Sequence, residues 1–234
     1  MSKLAVITGG TKGIGRAIIE KFSSQKFDIV TCSRNMADLT ALKEKLASAY
    51  PIKVHVFEAD MSVRNQVKAF TDFVSSLGQP VDVLVNNAGF FVPGRVTEEK
   101  DGALEAMMEA NVYSAYYMTR GLSASMMAKK GGHIFNMCSI ASIKAYPNGG
   151  SYAISKFALL GFSKVLREEL KGFNIRVTAI LPGATRTASW DGADLPDERF
   201  IKPEDVAEAV FGAYALSPGS VVEEILIRPQ LGDI

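Results

Sequence analysis

The sequence lacks the features that mark secreted, metal-binding and membrane-spanning proteins. Its 234 residues include only two cysteines and two histidines, too few for a disulfide framework or a cysteine–histidine metal cluster. No apolar run approaches the roughly 18 residues of a membrane-spanning helix. The first residues enter a predicted strand without a signal-peptide pattern, so we expect a cytoplasmic protein that binds no metal.

The sequence also lacks an excess of charge of either sign. Its formal net charge is +1, so we expect neither nucleic acid nor a membrane surface among its partners. Hydrophobic residues make up 47% and charged residues 22% of the chain, as in ordinary globular proteins. There is no internal repeat or low-complexity linker, and we predict a single domain over residues 1–234.

Short apolar runs alternate with longer amphipathic segments along the whole chain. The predicted strands are 4–8, 29–33, 53–57, 81–86, 134–138, 175–181 and 224–227, and the predicted helices are 13–24, 37–49, 63–77, about 102–128, 151–171 and 203–216. The strands are rich in Val, Ile and Leu without alternation, which indicates burial on both faces. The pattern predicts an α/β fold, a doubly wound parallel sheet covered by helices on both sides.

Three residues are predicted to begin helices. Ser62 and Ser151 are expected to cap the third and fifth predicted helices, and Pro203 suits the first turn of the last one. In a sheet of this kind, ligands bind beyond the carboxyl ends of the strands. The residues that follow each predicted strand are therefore the first candidates for a functional site.

A glycine-rich turn follows the first strand. It is T-G-G-T-K-G-I-G, from Thr8 to Gly15, with the spacing G-x-x-x-G-x-G. Glycines at such a turn let the backbone approach a pyrophosphate at the N-terminus of the next helix, although a plain glycine-rich turn is the alternative. The cofactor candidates in this turn are Gly9, Thr11, Lys12, Gly13, Ile14 and Gly15.

The segment after the second strand indicates which dinucleotide would bind. A site for NAD usually carries an acid here that bonds the ribose 2′-hydroxyl, but this segment is Ser33, Arg34 and Asn35, and Asp38 belongs to the next predicted helix. Arg34 together with Lys12 favours a 2′-phosphate, because an arginine forks onto phosphate oxygens. We therefore expect NADP(H), with a pair of surface cations as the alternative.

Other strand ends carry small or polar residues. Asp60 could accept a hydrogen bond from an adenine amino group or simply cap a helix. The run N-N-A-G at 86–89 allows a close approach, and its amides can hold neighbouring strand ends together. Asn111 lies inside a predicted helix, where a buried amide needs a hydrogen-bonding partner. The remaining cofactor candidates are Asp60, Met61, Asn87, Ala88, Gly89, Pro182, Gly183, Thr185 and Thr187.

Ser139, Tyr152 and Lys156 form the candidate catalytic group. Tyr152 and Lys156 stand four residues apart near the start of a predicted helix, so their side chains share one face. Ser139 follows a buried strand, whose end could bring its hydroxyl to that pair. Such a group could transfer a proton.

Taken together, these motifs resemble the short-chain dehydrogenase/reductase family. The resemblance covers nearly the whole chain and is specific as an ordered set, although Y-x-x-x-K alone is common by chance. The matching residues are the glycine turn, Asp60, N-N-A-G at 86–89, Asn111, Ser139, Tyr152, Lys156, Pro182, Gly183 and Thr187. The resemblance implies a Rossmann fold with the strand order 3-2-1-4-5-6-7. It also implies a homodimer or homotetramer whose subunits pair through the helices at about 102–128 and 151–171.

The resemblance also implies a role for each catalytic candidate. Ser139 would donate a hydrogen bond to a substrate carbonyl, and Tyr152 would be the general acid in reduction and the base in oxidation. Lys156 would favour the phenolate of Tyr152 and hold the nicotinamide ribose, while Asn111 would anchor a water. In the implied strand order Cys32 and Cys138 lie about 14 Å apart, too far for a disulfide.

The substrate is less clearly indicated. The pocket candidates Phe91, Ile140, Ser142, Tyr146 and Trp190 are mostly apolar, which suits a ketone or aldehyde with an apolar or aromatic body, although each residue could equally serve only in packing. The segment at about 186–200, with Asp191, Asp194, Asp197 and Glu198, is either a mobile lid or an ordinary polar loop.

Three alternatives to a carbonyl reductase remain open, namely a reductase of 3-oxoacyl carrier proteins, a 3-hydroxy acid dehydrogenase and a non-catalytic NADP(H)-binding module. Reductases of 3-oxoacyl carrier proteins usually end in a V-x-G-G segment, whereas this chain ends in E-E-I-L-I-R-P-Q-L-G-D-I. That ending is more typical of family members that act on small carbonyls and 3-hydroxy acids. A non-catalytic NADP(H)-binding module is the third alternative, and the intact Ser/Tyr/Lys/Asn set argues against it.

Overall fold

The computed structural model describes residues 2–190, 192 and 194–234 of the chain. Seven strands form one sheet in the order β3-β2-β1-β4-β5-β6-β7, and every neighbouring pair is parallel. The predicted fold and strand order are confirmed. The strands are β1 Leu4–Thr8, β2 Asp28–Ser33, β3 Val54–Glu58, β4 Val81–Asn86, β5 Gly132–Met137, β6 Ile175–Pro182 and β7 Glu224–Ile227.

Helices cover both faces of the sheet. They are α1 Gly13–Ser24, α2 Met36–Ala49, α3 Arg64–Ser76, α4 Ala103–Met108, α5 Ser114–Lys129, α6 Gly150–Leu170 and α7 Pro203–Ala215. Side chains of a strand point alternately to opposite faces, so Ala5 and Ile7 pack with α1, α2 and α7. Leu4 and Val6 pack with α3, α5 and α6 on the other face. Burial on both sides explains why the strands show no alternation of polar and apolar residues.

The long helix predicted at about 102–128 is divided in the structure. A π-helical turn, Glu109–Tyr113, lies between α4 and α5. Hydrophobic periodicity does not reveal one extra residue in a turn, so the sequence predicted a continuous helix. The π-helical turn contains Asn111, whose contacts are described below.

Two of the three predicted helix starts are wrong. Val63, not Ser62, precedes α3, and the hydroxyl of Ser62 donates to Asp60 Oδ1. Helix α6 already begins at Gly150, so Ser151 lies inside its first turn. Pro203 occupies the first turn of α7 as predicted. Both serines bind a carboxylate from outside the helix rather than a free backbone amide of their own helix.

A buried polar network joins the strands beneath the carboxyl edge of the sheet. Asn86 and Asn136 are register partners on β4 and β5, and Asn86 Nδ2 donates to Asn136 Oδ1 at 2.8 Å and to Thr119 Oγ1 of α5 at 3.2 Å. Asn136 Nδ2 donates in turn to Ser163 Oγ of α6 at 2.9 Å. The network therefore connects both central strands to the two helices that cover them.

Cys32 and Cys138 are buried free thiols, as predicted. Over the described residues, none of the helices combines the length and apolar character needed to cross a bilayer. The same part of the chain contains no group of three or more His, Cys, Asp or Glu side chains that could hold a metal ion.

Candidate active site

Ser139 lies directly beyond the end of β5, at the start of the 3-10 turn Ile140–Ser142. Its hydroxyl accepts a hydrogen bond from Ala141 N at 3.1 Å, and its own backbone N–H donates to Ser142 Oγ at 3.2 Å. These reciprocal bonds hold Ser139 in an extended conformation. The hydroxyl proton of Ser139 is left free to reach another acceptor.

Tyr152 and Lys156 lie on the same face of α6, as their spacing predicts. Lys156 is 6% exposed, its Nζ donates to Met137 O at 2.7 Å, and it lies 5.6 Å from the centroid of the Tyr152 ring. The ring of Phe91 packs edge-on against Tyr152 with 4.8 Å between centroids. Helix α6 and the end of β5 thus bring Ser139, Tyr152 and Lys156 together.

Burial governs the pKa values of this group. It raises the pKa of Tyr152, and a hydrogen bond with Ser139 opposes that rise. It also lowers the pKa of Lys156 to about 8. In the protein alone burial is the largest influence on Tyr152, so its pKa lies above the ordinary value rather than below it, while the ammonium group of Lys156 bonds the backbone of Met137. Tyr152 consequently keeps its proton at neutral pH and can act as an acid.

Asn111 is held from both ends of its amide. Its Oδ1 accepts from Phe90 N at 2.9 Å, and its Nδ2 donates to Phe90 O at 3.1 Å and to Ser155 Oγ at 2.9 Å. Ser155 Oγ donates to the carbonyl of Tyr152. A Cβ atom at Gly89 would lie 2.6 Å from Asn111 Oδ1, so only glycine lets the chain pass here. The side chain of Asn111 connects three segments, which accounts for a buried amide in a helix.

The glycine turn forms a narrow cradle at the start of α1. Gly9 and Gly13 have φ of +68° and +54°, a region that favours glycine. A Cβ at Gly15 would lie 2.4 Å from Asn87 Nδ2, and one at Gly13 would lie 3.0 Å from the methyl group of Thr187. The glycines therefore let the turn pack closely against Asn87 and Thr187 at the N-terminus of α1, a position where backbone N–H groups suit a pyrophosphate. Thr11 and Ile14 are partly buried in it.

The ends of β1 and β4 are tied together beside this cradle. Thr8 Oγ1 accepts from the backbone N–H groups of Asn87 and Ala88 at 3.0 and 2.9 Å. The amide of Asn87 donates back to the carbonyls of Thr8 and Gly9. The asparagines at 86 and 87 thus hold neighbouring strands together, as predicted.

The segment after β2 presents an exposed cation, with the Asp60 carboxyl near enough for Arg34 to help lower the pKa of that carboxyl. Arg34 is exposed, and Lys12 pairs with Asp38 at 3.7 Å. Asn35 Oδ1 accepts from Asp38 N and caps α2, while Ser33 Oγ bonds within the same turn. The electrostatics therefore suit an anionic group beside Arg34.

Several other residues predicted to bind the cofactor form hydrogen bonds or packing contacts within the protein. Asp60 Oδ1 accepts from both the N–H and the hydroxyl of Ser62, which helps to lower the pKa of Asp60 against the cost of burial. Met61 is buried with its sulfur 3.4 Å from Cys32 Sγ. Thr185 is buried and donates to Gly183 O, and Gly183 N donates to Ile227 O. These residues shape the ends of β2, β3 and β6. Pro182, another cofactor candidate, is the last residue of β6.

The five pocket candidates separate into two groups. Phe91 and Tyr146 lie beside Tyr152, and burial with the nearby Tyr152 raises the pKa of Tyr146 to about 12. Ile140 is partly buried next to Ser139. Ser142, by contrast, is 1% exposed and Trp190 packs against Phe200, so we leave both out of the proposed pocket.

Three segments form the rim of the site, defined here as residues 140–146, 186–190 with 194–200, and 228–234. Asp233 accepts a bidentate pair from Arg228 at 2.9 and 2.8 Å and bonds Lys144 at 3.1 Å. Arg186 pairs with Asp197 at 2.9 Å across the segment predicted to be a lid. Asp191 of that prediction lies outside the described residues. Ion pairs between exposed or partly exposed side chains therefore join 140–146 to 228–234 and link the two ends of 186–200.

A family model described as short chain dehydrogenase matches residues 3–195.

The chain belongs to the short-chain dehydrogenase family.

Three relatives in this family cover nearly the whole chain. Sepiapterin reductase of Chlorobaculum tepidum is 33% identical over 244 residues, covering 100% of this chain and 99% of the relative. An alcohol dehydrogenase of the archaeon Thermococcus sibiricus, complexed with 5-hydroxy-NADP, superposes with a TM-score of 0.92 at 26% identity, covering 98% of this chain and 97% of the other. L-sorbose reductase of Gluconobacter frateurii, complexed with NADPH and L-sorbose, superposes with a TM-score of 0.90 at 30% identity. The match covers 97% of this chain and 95% of the reductase. The resemblance based on motifs is confirmed.

Reasoning from the motifs of the short-chain dehydrogenase family missed residues that support the site. Phe90 and Ser155 bind Asn111, and Glu99 binds the first turn of α6. Phe90 and Glu99 have no local sequence signal, because each acts on a residue that is distant in the chain. The spacing of Ser155 three residues after Tyr152, on the same helix, is the only hint that sequence offers.

Proposed function

We propose that this protein is an NADPH-dependent oxidoreductase that reduces the carbonyl of a ketone or aldehyde, and oxidises the alcohol in reverse. The observation that carries the proposal is the convergence of Ser139, Tyr152, Lys156 and Asn111 beside the glycine cradle. A binding module would need only the cradle. Membership of a dehydrogenase family supports the same conclusion.

NADP(H) fits the residues at the cofactor cleft. Gly9, Gly13 and Gly15 let the turn pack closely against Asn87, Ala88 and Thr187 at the start of α1, and the exposed Arg34 would hold a 2′-phosphate. The dehydrogenase complexed with 5-hydroxy-NADP and the sorbose reductase with NADPH support this choice. When bound, NADPH supplies the hydride that reduces the carbonyl carbon.

The chain's own groups manage the proton and the developing charge. Ser139 donates a hydrogen bond to the carbonyl oxygen and stabilises negative charge on it. Tyr152, whose raised pKa keeps it protonated at neutral pH, gives its hydroxyl proton to the same oxygen to complete the alcohol. In oxidation the phenolate of Tyr152 accepts that proton back. Lys156 stabilises the phenolate with its positive charge while that charge persists.

The proposed substrate carries an apolar or aromatic body beside its carbonyl. Phe91 and Tyr146 flank Tyr152, and Ile140 follows Ser139. These side chains offer surface for an apolar group and no fixed charge for an acidic one. A 3-oxoacyl thioester and a 3-hydroxy acid remain the alternatives within the same reaction class.

A steady-state assay with NADPH and a panel of ketones, aldehydes and 3-oxoacyl thioesters tests the function. We expect turnover of at least one carbonyl, and Tyr152→Phe should lower it by about 10²- to 10⁴-fold because the acid is lost. NADPH binding, followed by fluorescence, should persist. Tyr116→Phe is the matched control, since the Tyr116 hydroxyl only accepts from Arg120 on the surface.

Tight NADPH binding without turnover across the panel would instead identify a non-catalytic NADP(H)-binding module. Substantial residual activity in Tyr152→Phe would remove Tyr152 from its assigned role. Either outcome is separable from misfolding, because the fluorescence titration reports the intact cofactor cleft.

We also propose that the protein forms a homodimer or homotetramer. Leu104, Tyr113, Ile154, Phe157 and Val165 are each at least 39% exposed on α4, the π-helical turn and α6. Exposed apolar side chains on neighbouring helices are typical of subunit interfaces. Light scattering that reports a monomer at assay concentration would contradict this proposal.

A further inference from the structure

The carboxylate of Glu99 binds the first turn of the catalytic helix α6. Its Oε1 accepts from Ser151 N at 2.9 Å, and its Oε2 accepts from the Ser151 hydroxyl. The first N–H groups of a helix have no partner within the helix. Glu99 therefore satisfies one of these groups at the residue directly before Tyr152.

The surrounding backbone is shaped to admit this carboxylate. A Cβ at Gly150 would lie 2.1 Å from Glu99 Oε1 and 2.5 Å from Gly94 O. A Cβ at Gly94 would lie 2.6 Å from Glu99 Cγ. The backbone contact excludes a larger residue at Gly150, and at Gly94 a Cβ would require the Glu99 side chain to move. The carboxylate thus occupies a fitted space rather than an open surface.

Glu99 connects two segments that lie on either side of Tyr152. Its own loop carries Phe91, whose ring packs against Tyr152. The turn before α6 carries Tyr146, and the two segments also meet through a hydrogen bond from Gly94 N to Asn148 O at 3.0 Å. Loss of the carboxylate would weaken the attachment of the loop that carries Phe91 to the start of α6.

We propose that Glu99 is a positioning residue for Tyr152, which it acts on by fixing the first turn of α6 against the loop that carries Phe91. This inference rests on the proposed carbonyl reduction, in which Tyr152 is the acid. An ionised carboxylate at a helix N-terminus is also favoured by the helix dipole. Glu99 touches neither of the reacting groups and works through Ser151.

Glu98 offers a matched control in the neighbouring position. It lies in the same loop, but its carboxylate pairs only with Arg95 at 3.2 Å, and both side chains are more than 60% exposed. Glu98→Ala therefore removes a carboxylate of the same charge without disturbing α6. A difference between the two alanine variants isolates the contact with Ser151.

The first experiment compares kcat, KM and NADPH affinity in Glu99→Ala, Glu99→Gln and Glu98→Ala. We expect Glu99→Ala to lower kcat by about tenfold or more, because a small displacement of a catalytic group has large effects. NADPH affinity should be unchanged, since Arg34 and the glycine cradle lie elsewhere. Glu99→Gln keeps an oxygen for Ser151 N and should recover most of the kcat, and Glu98→Ala should match the unaltered protein.

A kcat in Glu99→Ala equal to that of Glu98→Ala would overturn the proposal. So would a Glu99→Gln variant as impaired as Glu99→Ala, because hydrogen bonding would then not explain the effect. If Glu99→Ala does not fold, Ser151→Ala replaces it and removes one of the two bonds. We expect that variant to lose about threefold to tenfold in kcat, and an unchanged kcat there would also overturn the proposal.

Hydrogen–deuterium exchange at the amides of residues 151–155 supplies a readout that needs no substrate. Exchange should be faster in Glu99→Ala than in Glu98→Ala, because the first turn of α6 opens more often. Equal exchange would reject the positioning role. A protein that reduces no carbonyl but shows the faster exchange would reject the proposed function and leave the anchoring contact in place.

Discussion

The catalytic floor and the rim of this site are built differently. The floor, defined as Asn111, Ser139, Tyr152 and Lys156, is largely buried, and Lys156 and Asn111 bind backbone atoms of other segments. The rim is joined by side-chain ion pairs such as that of Asp233 with Arg228, whose side chains are 27% and 44% exposed. Backbone partners have fixed positions, whereas exposed pairs are weak and screened by salt.

This difference assigns separate tasks to the two regions. In the proposed function the floor determines the reaction, because its donors must stay aligned with one carbonyl oxygen. The rim surrounds the entrance and can adjust to the body of a substrate at little cost in stability. Changes in the floor should therefore act on kcat, and changes in the rim should act on KM.

Among the substitutions that compare floor and rim below, removing the hydroxyl of Ser139 should have the largest effect. We expect Ser139→Ala to lower kcat by about 10²- to 10³-fold, because a hydrogen-bond donor to the developing oxyanion is lost. The KM for NADPH should change little. Stopped-flow or steady-state rates of NADPH oxidation measure this effect, and a loss below tenfold would show that the floor does not depend on Ser139.

Reversing the charge at Arg34 should change cofactor preference. We expect Arg34→Asp to lower the ratio of kcat/KM for NADPH to that for NADH by about tenfold or more, since a charge-assisted bond is replaced by repulsion. Lys68→Asp, which makes the same change of charge on an exposed face of α3, is the control. An unchanged preference in Arg34→Asp would refute the assigned contact.

The burial of Lys156 predicts a pH dependence. Because its pKa is lowered to about 8, its positive charge is present below that pH and is lost above it. We expect kcat/KM for NADPH, which reports groups of the free enzyme, to fall above pH 8. In Lys156→Arg the side chain stays charged up to about pH 12, because the pKa of arginine is about that high. The pH above which kcat/KM falls should therefore be higher in this variant. If kcat/KM falls at the same pH in both proteins, a group other than Lys156 is responsible for the fall.

Neutralising Asp233 should have the smallest effect. We expect Asp233→Asn to reduce the free energy of unfolding by at most about 1 kcal/mol, because its partners are exposed. The KM for the carbonyl substrate should rise a few-fold with kcat unchanged. Thermal unfolding and steady-state rates measure both, with Asp72→Asn, which breaks an exposed pair with Lys68, as control. A large fall in kcat would place Asp233 with the floor.

The sequence predicted the parts of the site that depend on local spacing. The glycine turn, the pair Tyr152 and Lys156, and the strand end before Ser139 each follow from a few neighbouring residues. The alternation of strands and helices predicted the fold for the same reason. These features need only the periodicity of a helix or strand and the backbone freedom of glycine.

The parts that were missed depend on contacts between distant residues. The contact of Glu99 with Ser151 spans 52 positions, and the π-helical turn exists where Asn111 reaches Phe90. The burial that raises the pKa of Tyr152 was missed, because burial cannot be read from a motif. Ser142 was taken for a pocket residue because its bond to Ser139 N is a feature of the folded turn.

The paired amides of Asn86 and Asn136 affect the fraction of molecules that fold with the correct register between β4 and β5. A slip of one residue between β4 and β5 would turn one of these amides to the opposite face and leave buried polar groups unpaired. Misaligned molecules are therefore unstable and do not accumulate as slow enzymes. Damage to this network should appear as a smaller fraction of active protein, with each remaining active molecule working at the full rate.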